Sequence, residues 1–83
     1  SKNKIELTPD IDVDNILIQL QEKYKKQPIN TIDGVKIEFD EEWVHLRKSN
    51  TEPIVRIYAE GSTQSVADSL ANKIKRDIKE MIS

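Results

Sequence analysis

The sequence predicts a small α+β domain with the element order β-α-β-β-β-β-α, a mainly antiparallel sheet with two helices packed on one face. Three observations carry this: apolar residues recur at helical spacing in two segments, five short segments alternate with period two, and hairpin-length links join the last four of those. An 83-residue chain has room for one core, and at this size only roughly 60% of the unfolded surface is buried. Residues 1–83 are therefore expected to form a single domain. With no cysteine to staple it, the core must hold by its patterning.

The first strand is Lys4-Ile5-Glu6-Leu7, extended back to Asn3, where polar and apolar residues alternate until Thr8-Pro9. Asp12 or Asp14 then caps a helix whose Ile16, Leu17, Leu20 and Tyr24 share a face, and which ends near Lys26, before Pro28. Ile29 to Ile32 and Val35 to Phe39 form the second and third strands, with Asp33-Gly34 suited to a two-residue hairpin turn. Val35, Ile37 and Phe39 share the core face, and the acidic Asp40-Glu41-Glu42 is a turn. Trp43 to Arg47 and Ile54 to Glu60 are the fourth and fifth strands, joined by a polar loop in which Pro53 bars a helix. After Gly61, Ser62 or Thr63 caps a long second helix with Val66, Leu70, Ile74, Ile78 and Met81 as its stripe, widened by Ala67 and Ala71. The charged residues of that helix read as a solvated face.

Charge narrows the partners. Thirteen Lys and Arg against fifteen Asp and Glu leave a net charge of −2, which argues against a broad footprint on nucleic acid and makes any anion site local. No apolar stretch approaches the roughly 18 residues of a membrane span, and Ser1 to Glu6 carry no apolar signal segment. Neither nucleic acid nor a membrane is an expected partner. The lack of cysteine fits a reducing compartment, and the cytoplasm is the expected location. A start at Ser1 rather than Met fits an excised piece of a longer protein or a processed native start, and the excised piece is expected.

The loop between the fourth and fifth strands concentrates the chemistry. If Arg47 sits opposite Ile54, then His45 meets Arg56 and Trp43 meets Tyr58, and Arg47 lies diagonal to Arg56 with Cβ atoms about 7 to 8 Å apart. The hydroxyls of Ser49 and Thr51, the carboxamide of Asn50 and several loop N–H groups are close by, and all can donate to an oxyanion. Arginine suits such a grip because its planar fork offers two parallel bonds to phosphate oxygens and stays charged. The alternative is that Arg47 and Arg56 are surface residues paired with Glu38, Glu52 or Glu60, and that Ser-Asn-Thr is an ordinary polar turn. His45 reads as a packed or solvent-facing strand residue that could add a donor, and Trp43 with Tyr58 as a structural cross-strand pair. Asp40, Glu41 and Glu42 lack calcium-loop spacing. No nucleophile with its base is visible, so no catalytic residue is assigned.

The run Arg47-Lys48-Ser49-Asn50-Thr51-Glu52-Pro53-Ile54-Val55-Arg56 resembles the phosphate-binding loop of the α-D-phosphohexomutase superfamily, the phosphoglucomutases and phosphomannomutases. The flanks are similar too: Asp33-Gly34-Val35, Trp43, Tyr58-Ala59-Glu60 and the amphipathic helix that follows. The resemblance covers essentially the whole chain and implies the C-terminal, fourth domain of a four-domain isomerase, with a sheet similar to the TATA-box-binding-protein fold. It implies that Arg47, Ser49, Asn50 and Thr51 grip the substrate's non-transferring phosphate, with Arg56 supporting the pocket, while a hexose 1-phosphate and its 6-phosphate interconvert through a bisphosphate. The phosphoserine loop, the Mg²⁺ site and the sugar-reading loop of the family belong to other domains of the same polypeptide. No cofactor is expected in this domain, Mg²⁺ is expected in the full-length enzyme, and the isolated domain is expected to be inactive. Lys48 stands where the family usually has proline, which makes the loop less stiff. Asn50 associates the chain with phosphomannomutase/phosphoglucomutase members; a phosphoglucosamine mutase domain is the alternative. A stand-alone module binding protein or single-stranded RNA by its sheet edge or the Trp43/Tyr58 face is the reading of a different class.

Overall fold

A computed structural model describes residues 2–49 and 51–82. The elements are β1 (Lys2–Glu6), α1 (Val13–Lys23), β2 (Ile29–Asn30), β3 (Val35–Glu38), β4 (Trp43–Lys48), β5 (Ile54–Glu60) and α2 (Gln64–Ile82). The order matches the expectation, and the strands form one five-stranded antiparallel sheet, β1-β5-β4-β3-β2. The helix between β1 and β2 carries the chain from one edge of the sheet to the other. No helix among the described residues is long and apolar enough to cross a membrane.

One face of the sheet makes the core. Ile5, Val35, Ile37, Val44, Leu46, Val55, Ile57 and Ala59 meet Ile16, Leu17, Leu20 and Tyr24 of the α1 segment and Leu70, Ala71, Ile74 and Ile78 of α2. Fully burying one such aliphatic side chain contributes about 1.5–3 kcal/mol, so both helices are held by apolar area rather than by propensity. The caps are side-chain oxygens: Asp12 Oδ1 accepts from Asn15 N–H at 3.2 Å and Thr63 Oγ1 from Val66 N–H at 3.1 Å. Asp12 and Thr63 are thus the caps, not Asp14 or Ser62.

Two details differ from the sequence expectation. The β2–β3 connection is not a two-residue hairpin, because the ladder stops at Asn30 opposite Lys36. Asn30 Oδ1 accepts from Ile32 N–H at 2.9 Å, a local bond that turns the chain early and leaves Ile32 91% exposed. In addition, α2 is not polar throughout its charged residues: Asp77 is only 7% exposed. It accepts from Lys23 Nζ at 2.8 Å and from the Tyr24 hydroxyl, so it ties the C-terminal end of α1 to α2. Phe39 packs edge-on against Tyr24 at 5.8 Å, and Lys73 lies over both rings.

This cluster predicts an alkaline weakness. Burial first, and then the bond to Asp77, push the Tyr24 phenol above its ordinary value; the bond to Asp77 raises Lys23. Both groups hold their proton more tightly folded than unfolded, so their contribution is complete below about pH 10 and is lost as pH rises beyond it. Tyr24→Phe should flatten the fall of Tm above about pH 10 at a cost of about 1 kcal/mol at neutral pH. A variant whose alkaline Tm profile parallels the parent's would rule out this origin.

Candidate functional site

The outer face of the sheet is open and charged, since the residues that alternate with the core point there. Arg47 and Arg56 both stand on it, at the end near the loop, and both are exposed. Their relation differs from the expected one. Arg47 pairs with Arg56, Leu46 with Ile57, His45 with Tyr58 and Trp43 with Glu60, a register shifted by two residues from that expected. Arg47 is therefore directly across from Arg56 rather than diagonal, and Trp43 is not opposite Tyr58. The shift has a local cause: Lys48 continues β4, Ser49 N–H bonds Ile54 O at 3.1 Å, and Ile54 N–H turns back on Glu52 O at 2.8 Å around Pro53. An even shift keeps every side chain on its own face, which is why the core assignment survived it.

Two guanidinium groups directly opposite each other repel, and the structure shows them diverging. Arg47 lines a cleft of about 520 Å³ with Asp14, Asp33, Gly34 and Lys48, whereas Arg56 lines a separate one of about 480 Å³ with Lys2, Asn3, Lys4 and Tyr58. Arg47 Nη2 lies 3.6 Å from Asp33 Oδ1. None of Glu38, Glu52 or Glu60 is its partner in that pair. Glu60 instead accepts from Trp43 Nε1 at 3.0 Å, and Lys36 Nζ sits 4.9 Å over the Trp43 ring.

The loop is organised around Ser49. Its Oγ accepts from the N–H of Thr51 and of Glu52, both at 3.3 Å, and lies 3.4 Å from Thr51 Oγ1. Backbone donors expected to face a ligand are thus engaged within the turn. A hydroxyl that accepts two N–H bonds keeps its own proton for Thr51 or for an incoming oxyanion. Asn50 falls outside the described residues. Lys48 lines the same cleft as Arg47 and pairs there with Asp14 in the first turn of α1, Nζ to Oδ1 at 2.8 Å. His45 Nε2 makes its bond to the Asp33 carbonyl, so it holds the β2–β3 loop instead of facing the turn after β4.

Asp33 is the residue that sequence reasoning missed. Its signal was available: pairing the apolar Val35 and Ile37 with Leu46 and Val44 brings the turn before β3 level with the end of β4. Among the described residues no group of three or more His, Cys, Asp or Glu could hold a metal ion.

Fold and loop together define an α+β module presenting two arginines and a hydroxyl-bearing turn at one end of an open sheet face. Residues 7–77 match the family described as phosphoglucomutase/phosphomannomutase, C-terminal domain, and the chain belongs to that family. Over 77 residues it is 42% identical to the phosphoglucosamine/phosphogalactosamine mutase of Sulfurisphaera tokodaii, covering 90% of this chain and 17% of that protein. It is 40% identical over 60 residues to the probable phosphoglucosamine mutase of Pyrococcus horikoshii, covering 72% and 13%. It is 49% identical over 49 residues to the phosphoglucomutase/phosphomannomutase of Thermococcus kodakarensis, covering 59% and 10%. The chain thus spans 17% or less of the length of these relatives. Two of these names are of phosphoglucosamine-type mutases and one is a phosphoglucomutase/phosphomannomutase, so they do not decide the leaning drawn from Asn50.

Proposed function

We propose that this chain grips the phosphate of a hexose phosphate for a phosphohexomutase whose other domains carry the chemistry. The observation that carries the reading is the Arg47–Arg56 pair, two arginines paired across adjacent strands on one face of the sheet beside a turn of hydroxyls. The two side chains line separate clefts in the free chain, and both are exposed and free to swing together over a dianion bound between them. Arg47 and Arg56 supply charge-assisted bonds, Ser49 and Thr51 supply hydroxyl donors, and Asn50 supplies a carboxamide. The full-length protein is then an isomerase that moves a phosphoryl group between C1 and C6. A grip that reads phosphate alone serves both orientations of a sugar that turns over between half-reactions. Mg²⁺ would be held by residues outside this chain. Names of several relatives favour an aminosugar phosphate as a second reading of the substrate.

Titrating this chain with glucose 6-phosphate, glucosamine 6-phosphate and an RNA oligomer, followed by amide NMR, tests the reading. Saturable shifts at Ser49, Thr51 and Glu52 with both sugar phosphates, and none with RNA, are expected. Shifts with RNA along the Trp43/Tyr58 face, and none at the loop with phosphate, would replace this function with the interaction module.

A further inference from the structure

We propose that Asp33 is a specificity-determining residue of this site: its carboxylate is a built-in competitor for Arg47, which a phosphate dianion displaces and a monoanion does not. The inference rests on the reading of Arg47, Arg56 and the Ser49 turn as a phosphate grip.

The carboxylate is presented by backbone, not by chance. Asp33 O bonds His45 Nε2, and the next residue, Gly34, lies so close to β4 that a Cβ there would sit 2.5 Å from Leu46 O. The segment is therefore clamped against the strand that carries Arg47. Oδ1 stands 3.6 Å from Arg47 Nη2, beyond a hydrogen bond, and both side chains are more than half exposed. Such a pair is loose and displaceable, worth little in water. Without ligand it offsets one of two opposed guanidinium charges; with ligand it must give way.

That exchange discriminates by charge and shape. A carboxylate or chloride arriving at Arg47 replaces one monoanion by another and gains almost nothing. A phosphate dianion engages both arginines and accepts from the Ser49 and Thr51 hydroxyls, and these added charge-assisted bonds, which a monoanion at Arg47 alone does not make, outweigh the repulsion that Asp33 adds. The residue thus raises the threshold for every anion, and the dianion clears it.

The test compares this chain with Asp33→Asn, titrated with inorganic phosphate and with acetate at constant ionic strength while Thr51 and Glu52 amides are followed. Asparagine suits the same turn and the His45 bond is to a carbonyl, so the variant keeps the loop. Phosphate should bind the variant about two- to five-fold more tightly, the range an exposed ion pair allows, and acetate should gain saturable shifts absent from the parent. Asp33→Glu, which keeps the charge, should keep the parent's discrimination. Unchanged or weaker phosphate binding by Asp33→Asn would overturn the role of Asp33 alone. Absence of saturable phosphate shifts in every protein would instead remove the grip on which it rests.

Discussion

In the proposed full-length mutase, Arg47→Ala should raise KM for the sugar phosphate about 100-fold with little change in kcat. The fork of Arg47 offers two charge-assisted bonds at about 1.5–3 kcal/mol each, and losing about 3 kcal/mol of binding is two decades in an equilibrium constant. The phosphate it is proposed to hold is the one that does not react, so ground and transition states would lose the contact equally, and the loss would appear in KM. Arg47→Lys should fall between, because an ammonium cannot form the fork. Since Arg47 is exposed and its ion pair with Asp33 is exposed too, its removal costs little, and the Tm of the alanine variant should not fall. A folded variant with unchanged KM would contradict the proposed grip.

Gly34→Ala should cost about 3 kcal/mol or more in stability. Gly34 has φ +91°, where a side chain adds about 1–3 kcal/mol of backbone strain. A Cβ there would also meet Leu46 O at 2.5 Å, Arg47 Cγ at 3.1 Å and His45 Nε2 at 3.1 Å. The first is backbone in a paired strand, so relief requires moving the β3–β4 ladder itself. For a domain this small each kcal/mol lowers Tm by about 4–8 °C, and a fall of about 15 °C is expected in thermal melts. A melt within 3 °C of the parent would mean that the β2–β3 loop yields freely, and the clamped placement of Asp33 would go with it.

Much of the site was legible because it is contiguous in sequence. Arg47, Ser49 and Thr51 neighbour one another along the chain, and alternation alone puts Arg47 and Arg56 on the wet face. The pairing register was not legible, because slipping a strand by two residues exchanges apolar partners for apolar partners and leaves both faces unchanged. Whether Arg56 lay diagonal to Arg47 or across from it depended on how tightly Pro53 closes the turn. The role of Ser49 was half legible: its hydroxyl was expected to serve a ligand, but its bonds to the N–H groups of Thr51 and Glu52 follow only from the turn's conformation.

From periodicity, caps and breakers the sequence by itself determined the element order, the core face and the position of the polar turn, since these depend on residues within a few positions of each other. Only the tertiary structure decided the partners. Asp77 is buried because the Tyr24 hydroxyl and Lys23, more than fifty positions away, reach it from α1. Asp33 meets Arg47 because the β3–β4 register brings their segments level. Both are charges, whose free energy depends on what stands opposite them in space, and no local pattern encodes that.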